Sequence, residues 1–136
     1  METILTRTAI AALLGFALAG CNQAESPREV RNDVAEAQRE KAENVAEARS
    51  EAREEMREER DDMFDSNPAE DVREESVQGA YEVAIAKAEG DHKIATEACE
   101  AMAGQAQENC KDKADRALEE AKRKAEQARD QGKTMS

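Results

Sequence analysis

The chain has 136 residues, of which 32 are acidic and 20 basic, for a net charge of −12. This charge disfavours nucleic acid as a partner, because an acidic chain would have to approach a polyanion. Large apolar side chains are too scarce for a thick globular core, whereas Ala, Glu, Arg and Lys dominate, as is typical of long helices and coiled coils. Disorder is the alternative for so charged a chain. We expect an all-α fold instead, because alanine and glutamate are strong helix formers.

Residues 1–20 have the three-part pattern of a secretory signal, with Arg7 as the positive region and residues 9–19 as the apolar region. That apolar run is shorter than the ~20 residues of a transmembrane helix. The segment closes with the run Leu18-Ala19-Gly20-Cys21. This run resembles the lipobox of bacterial lipoproteins, and the resemblance implies that Cys21 is lipidated and becomes the first residue of the mature chain. A plain cleaved signal followed by an ordinary cysteine is the alternative.

The residue after the lipobox bears on the membrane to which the chain goes. In enterobacterial lipoproteins an aspartate at this place retains the protein at the inner membrane, whereas this chain has Asn22. The resemblance therefore implies a cell-envelope protein that is held by the lipid on Cys21, at the outer membrane and facing the periplasm. Residues 21–26 are expected to form a short lipidated tether.

Two tetrapeptides carry the same helix-start pattern, Ser26-Pro27-Arg28-Glu29 and Asn67-Pro68-Ala69-Glu70. Each offers an N-cap residue, a proline at the first helical position and a glutamate that completes a capping box. We predict a charged amphipathic helix over 27–64, a hinge at 65–67, and a second helix from residue 68.

The first helix carries three stripes when positions advance by about 100° per residue. The apolar stripe consists of Val30, Val34, Ala37, Val45, Ala48, Ala52, Met56 and Met63. A glutamate-rich stripe runs from Glu36 to Asp62, and an arginine stripe runs from Arg28 to Arg60. The apolar stripe is expected to pack either on another copy of the chain or on the second half of this one. Lys41 and Glu59 interrupt it.

Residues 68–131 are predicted to form an alanine-rich antiparallel hairpin with its turn near Gly104, followed by a flexible tail at 132–136. Folding back at Gly104 pairs small residues with one another, for example Ala88 with Ala121 and Ala84 with Ala125. Alanine on both sides allows the helix axes to approach closely. The equal lengths of the helices also permit a three-helix bundle, in which the first helix packs on the hairpin, but do not require it.

Cys99 and Cys110 lie on either side of Gly104 and are predicted to form a disulfide. The secretory signal places them in an oxidising compartment, and the hairpin brings them together. In one continuous helix they would lie about 16 Å apart, which permits only bonds between chains. We therefore favour the bond within the chain over an intermolecular bond or free thiols.

The hairpin is similar to an alanine-rich, two-cysteine helical hairpin in uncharacterised exported proteins of proteobacteria. The pieces that match are His92-Lys93, the run from Cys99 to Gly104, and Cys110 followed by an alanine- and lysine-rich helix. Where that pattern often has Asp or Asn after the glycine, this chain has Gln105, a poorer N-cap. The resemblance implies a fold element and an exported setting, with no established activity.

No catalytic or metal-binding motif is apparent, so we expect neither an enzyme nor a cofactor. His92, Cys99 and Cys110 are possible zinc ligands by type, but His92 lies two helical turns from Cys99, and the cysteines are expected to be oxidised. His92 is better explained as a surface residue. The glutamate stripe lacks the glycine turn of an EF-hand, so we interpret it as a solvated face. The chain also lacks a phosphate-binding loop and a nucleophile elbow.

Three functional classes follow. We favour a structural or spacer role, with self-association or an envelope protein as partner. A binding module for a periplasmic partner or for divalent cations on the acidic face is the alternative. Attachment to murein of the Braun type is disfavoured, because such lipoproteins end in a lysine used for crosslinking and this chain ends Lys133-Thr134-Met135-Ser136.

Overall fold

A computed structural model describes residues 23–61 and 68–134 of the chain. Over these ranges it contains three helices, α1 Pro27–Asp61, α2 Pro68–Cys99 and α3 Gln105–Thr134, and no strand. The predicted all-α fold, with a charged helix followed by a stapled hairpin, is confirmed. Within the described ranges, no helix combines the length and apolar character needed to cross a bilayer. Residues 62–64 of the predicted first helix and the hinge at 65–67 lie outside the described residues.

The three helices form an open layer with α2 in the middle. Helix α2 packs on α1 on one side and on α3 on the other, whereas α1 and α3 make no close backbone contact with each other within the described ranges. Successive helices run antiparallel. Lys41 of α1 lies beside Asp91 of α2 whereas Ala52 lies beside Gly79, and His92 of α2 lies beside Asp115 of α3 whereas Glu74 pairs with Lys133. The first helix therefore packs on the hairpin, and the bundle is flat rather than closed.

The apolar stripe of α1 faces α2. Its buried members are Val30, Ala37, Val45, Ala48 and Ala52. Val34 and Met56 are half-buried at the edges of the seam, and Met63 lies outside the described residues. Of the two partners expected for this stripe, the structure provides the second half of the same chain.

Two glycines of α2 determine how closely α1 approaches. A Cβ atom on Gly79 would overlap the Cβ of Ala52 and lie 3.3 Å from its Cα. One on Gly90 would overlap the side-chain stem of Lys41, whose ammonium group pairs with Asp91. Gly79 and Gly90 are separated by three helical turns and so lie on the same face of α2. Lys41 interrupts the apolar stripe without breaking the seam, because its stem lies over a glycine.

The seam between α2 and α3 is built from alanines and closed by ion pairs. Ala88 of α2 and Ala114 and Ala125 of α3 are buried. The guanidinium of Arg129 lies over the ring of Tyr81, 4.7 Å from its centroid. Lys122 pairs with Glu89 at 3.1 Å, Nζ to Oε1. Such exposed pairs contribute little to stability, but their positions follow the predicted fold-back at Gly104.

Helix α3 extends further than the sequence pattern predicted. The expected end near residue 131 and a flexible tail from residue 132 are replaced by helix through Thr134. Tertiary contacts hold this last turn on α2. Gly132 lies against Val77, where an added Cβ would come within 2.7 Å of the Val77 side chain, and Lys133 pairs with Glu74 at 3.0 Å.

The contact between Gly79 and Ala52 predicts whether Gly79→Ala raises or lowers the free energy of unfolding, and the result tests the packing of α1 on α2. In a solvated helix, Gly79→Ala would stabilise by about 1 kcal/mol through helix propensity. On the packed seam we expect it instead to destabilise by about 1–3 kcal/mol, because the new methyl group overlaps Ala52. Urea unfolding followed by circular dichroism measures the difference.

The control is the double variant Ala52→Gly with Gly79→Ala, which moves the methyl group across the seam. It should recover stability relative to Gly79→Ala alone, because the overlap is removed while the helix content is nearly unchanged. A single Gly79→Ala variant that is more stable than the parent chain would contradict the packing of α1 on α2.

Candidate interaction surfaces

The start of α1 is fixed by a capping box next to the end of α2. The Ser26 backbone N–H donates to Glu29 Oε2 at 3.0 Å, and the Glu29 N–H donates to Ser26 Oγ at 3.3 Å. Hydrogen bonds to the Glu29 carboxylate from the Ser26 hydroxyl and the Ser26 backbone N–H lower the pKa of the Glu29 carboxyl. Just before the cap, the Glu25 N–H donates to the Glu100 carbonyl at 2.8 Å. The tether end of α1 and the turn of the hairpin therefore lie together.

The second predicted capping box is described only in part. Helix α2 begins at Pro68, at the position predicted. Asn67 lies outside the described residues, as does the side chain of Glu70, so this cap remains a prediction.

A disulfide links the two arms of the hairpin. Cys99 and Cys110 are bonded, with their Cα atoms 5.7 Å apart, and Cys99 is 1% exposed. Between them the chain turns at Gly104, whose φ of 59° lies in the left-handed region that favours glycine. The carbonyl of Gly104 accepts the N–H groups of Gln107 and Glu108 at 3.0 and 3.2 Å. Gly104 rather than Gln105 therefore holds the N-cap position of α3, and Gln105 is its first helical residue.

A buried glutamine in this turn was not foreseen from the sequence. Gln107 is 2% exposed, and its amide donates to Glu100 Oε2 at 2.5 Å. Since α2 ends at Cys99, Glu100 lies in the turn, where its carboxylate can accept from the first turn of α3. Nothing in the sequence pattern distinguishes Gln107 from the other polar residues of α3.

The α1·α2 seam separates the charged stripes of α1. Ala52 lies on the seam, and its neighbours Glu51 and Arg53 diverge by about 100° to either side. Hence the arginine stripe borders one edge of the seam and the glutamate stripe the other. The stripes that the sequence predicts become two opposite sides of the helical layer.

On the arginine side, an open groove of about 480 Å³ runs between α1 and α2, and we call it the basic groove. Its apolar floor consists of Ala52, Met56, Gly79, Ala80 and Val83. Its polar lining consists of Arg49, Arg53, Ser76 and Lys87. None of the three cations has a carboxylate within 4 Å among the described residues.

A smaller groove of about 130 Å³ lies between α2 and α3. Its lining includes Tyr81, Ala84, Ala125 and Arg129. Ala80 borders this groove and the basic groove alike, so both open on the same side of the layer. The charged residues that line the two grooves are all cations.

On the glutamate side, five carboxylates gather at the same level, and we call them the acidic cluster: Glu51, Glu55, Glu58, Glu75 and Glu82. Oε2 of Glu55 is buried and has no hydrogen-bond partner among the described residues. Desolvation raises the pKa of the Glu55 carboxyl, and the surrounding carboxylates raise it further. The cluster therefore costs stability while it is fully ionised.

The candidate zinc ligands of the sequence are not brought together as a site. His92 is half-buried rather than a free surface residue, and its Nε2 lies 2.7 Å from Asp115 Oδ1 on α3. Both cysteines of the described region are in the disulfide. In this part of the chain, no group of three His, Cys, Asp or Glu side chains is placed to hold a metal ion.

Cys21, the predicted lipidation site, lies outside the described residues. Comparisons with protein-family models, curated proteins and solved structures found no match to this chain. The lipobox and the hairpin resemblance therefore rest on the residues quoted for them.

The acidic cluster predicts that stability depends on pH through Glu55. Its pKa is raised in the folded chain above the ordinary value of 4.5, so the cost of ionising it is present at neutral pH and is relieved as pH falls through the folded pKa. We expect Glu55→Gln to stabilise the chain at pH 7 and to have less effect near pH 4.5.

Urea unfolding at the two pH values measures this difference. Glu54→Gln provides the matched control, since Glu54 is exposed on the same helix and should change stability little at either pH. Equal effects of the two substitutions at pH 7 would show that the acidic cluster does not destabilise the seam.

The disulfide gives a second prediction. Its cysteines are 11 residues apart in sequence, and closing a loop of this size stabilises by about 3 kcal/mol in the chain-entropy model. Cys99→Ala with Cys110→Ala should therefore lower the free energy of unfolding by about that amount under oxidising conditions. Reductant should lower the stability of the parent chain and leave the variant unchanged, and an effect of reductant on the variant would show that another bond contributes.

Proposed function

We propose that this chain is a lipid-anchored cell-envelope protein with a structural, spacer or protein-interaction role and no catalytic activity. The observation that carries the proposal is the position of the tether. Only residues 22–24 separate Cys21 from Glu25, whose N–H is bonded to the turn of the hairpin. A lipid on Cys21 would hold the disulfide end of the layer at the membrane.

The dimensions of the layer support a spacer. Helix α1 has 35 residues, which at 1.5 Å per residue span about 50 Å. Because successive helices are antiparallel, the end of α1 and the end of α3 both lie at the far end of the layer. The acidic charge of residues 22–76, with 19 acidic and 9 basic side chains, opposes contact with anionic headgroups and favours a layer that stands away from the surface.

The open grooves support interaction rather than catalysis. Small-molecule sites typically enclose most of their ligand, whereas the basic groove is a shallow channel along two helices. Its small apolar floor and cationic rim suit an extended acidic surface on another macromolecule. The same groove favours the second candidate function, a binding module for a periplasmic partner. Among the described residues, no three His, Cys, Asp or Glu side chains, including those of the acidic cluster, are placed to hold a metal ion, and no observation favours the version of that function that uses divalent cations.

The test is the mass of the mature N-terminus. We expect mass spectrometry of the membrane-extracted protein to show a chain that begins at Cys21 and carries a diacylglycerol thioether. Cys21→Ser should release the protein from the membrane fraction, because acyl chains contribute ~0.8 kcal/mol for each buried CH₂.

Cys99→Ser with Cys110→Ser serves as the matched control, since it removes two other cysteines and should leave the protein in the membrane fraction. An unmodified Cys21 in the membrane-extracted protein would overturn the anchor.

A further inference from the structure

Charge is segregated across this layer in a way that the net charge of the chain conceals. The chain has 32 acidic and 20 basic residues, yet every charged side chain that lines the grooves on one side is a cation. Three of these cations, Arg49, Arg53 and Lys87, form no ion pair among the described residues. Nε of Arg53 donates to the Arg49 carbonyl at 2.8 Å. A cationic rim around an apolar floor is complementary in charge to an acidic helix.

The acidic cluster lies on the opposite side at the same level. Arg49 and Arg53 alternate along α1 with Glu51 and Glu58, over the same two to three turns. All four side chains are exposed. Two copies placed side by side at equal height would therefore bring the basic groove of one opposite the acidic cluster of the other.

The height of the groove decides between its possible anionic occupants. Arg49 lies 23 residues beyond Ser26, which is about 35 Å along the helix. At physiological salt the Debye length is about 8 Å, so the headgroups of the membrane to which the chain is anchored are screened from the groove when the layer stands upright. A second copy in the same membrane presents its carboxylates at the height of the groove.

We propose that the basic groove docks the acidic cluster of a second copy of this chain. The cationic side of one copy then faces the acidic side of the next. This inference rests on the proposed anchor, which fixes the height and raises the local concentration of the copies. Because the two contacting surfaces are different, the contact is heterologous, and each bound pair leaves one basic groove and one acidic cluster unoccupied. Repetition of the contact produces rows of copies rather than closed dimers.

A matched pair of charge reversals tests the docking. One variant carries Arg49→Glu and Arg53→Glu, and the other carries Glu51→Arg and Glu58→Arg. The chains are extracted from membranes, reconstituted in vesicles of zwitterionic lipid, and treated with an amine-reactive crosslinker, since no lysine is changed. We expect either variant alone to reduce the yield of crosslinked copies at least about tenfold, because each places like charges opposite one another.

The two reversals have opposite effects on net charge, and this separates docking from general repulsion. The second variant has a lower net negative charge than the parent chain. If general repulsion alone governed self-association, this variant would self-associate more than the parent, whereas the docking model requires that it self-associates less. A mixture of the two variants, and one chain that carries all four substitutions, should each restore crosslinking. Arg116→Glu with Arg123→Glu, at exposed positions of α3, matches the charge change of the first variant and should leave the yield unchanged.

Three results would overturn the docking. They are a parent chain that does not crosslink to itself, a mixture that fails to restore crosslinking, and loss in the arginine variant while the glutamate variant retains the parental yield. The last result would show that the groove contacts a surface of the second copy other than the acidic cluster.

The mass of the peptide that contains Cys21, measured in the same samples, tests the anchor separately from the docking. If Cys21 is acylated but the copies do not crosslink, only the docking proposal is wrong. If Cys21 is unmodified, the anchor proposal is wrong. Crosslinking of the same variants in solution at high protein concentration then tests the docking proposal.

Discussion

The close approach of α1 to α2 is the contact on which the rest of this structure depends. The described helices have no bulky core, so the seam is held by alanines, glycines and the two valines Val30 and Val45. Dispersion between such small groups is effective only at short range. Because Gly79 and Gly90 have no side chain, α1 can approach α2 closely at Ala52 and at Lys41. By fixing the orientation of α1, this contact also divides its charged stripes between the two sides of the layer.

Helix α2 has a different kind of seam on each of its sides. Its contact with α3 is stapled by the Cys99–Cys110 disulfide and continues to the last turn of α3 at Thr134. Its contact with α1 has no covalent link among the described residues, and it carries the acidic cluster, in which Glu55 has a raised pKa. The α1·α2 seam therefore carries the buried carboxyl of Glu55 without a covalent link, in the described part of the chain, to hold it closed, and it is also the seam that forms the basic groove.

Interactions between residues close in sequence are sufficient to predict where the helices begin and where the hairpin turns. The capping box at Ser26 and Glu29 forms as predicted, because its bonds involve residues three apart. The fold-back at Gly104 follows from a residue that tolerates positive φ and from alanines equidistant on either side. The basic groove and the acidic cluster were foreseen only as stripes on α1. Their α2 members, such as Lys87 and Glu82, could not be assigned before the two helices were set in register.

The sequence by itself determined the helical class, the helix starts, the hairpin register and the apolar stripe of α1, because each follows from composition or from contacts close along the chain. Only the tertiary structure decided that this stripe packs on α2. It also showed that Gly79 and Gly90, which by helix propensity alone would weaken α2, are points where α1 approaches α2 closely. The propensity cost of a glycine is similar throughout a helix interior, but its benefit depends on the neighbour that the missing methyl group admits.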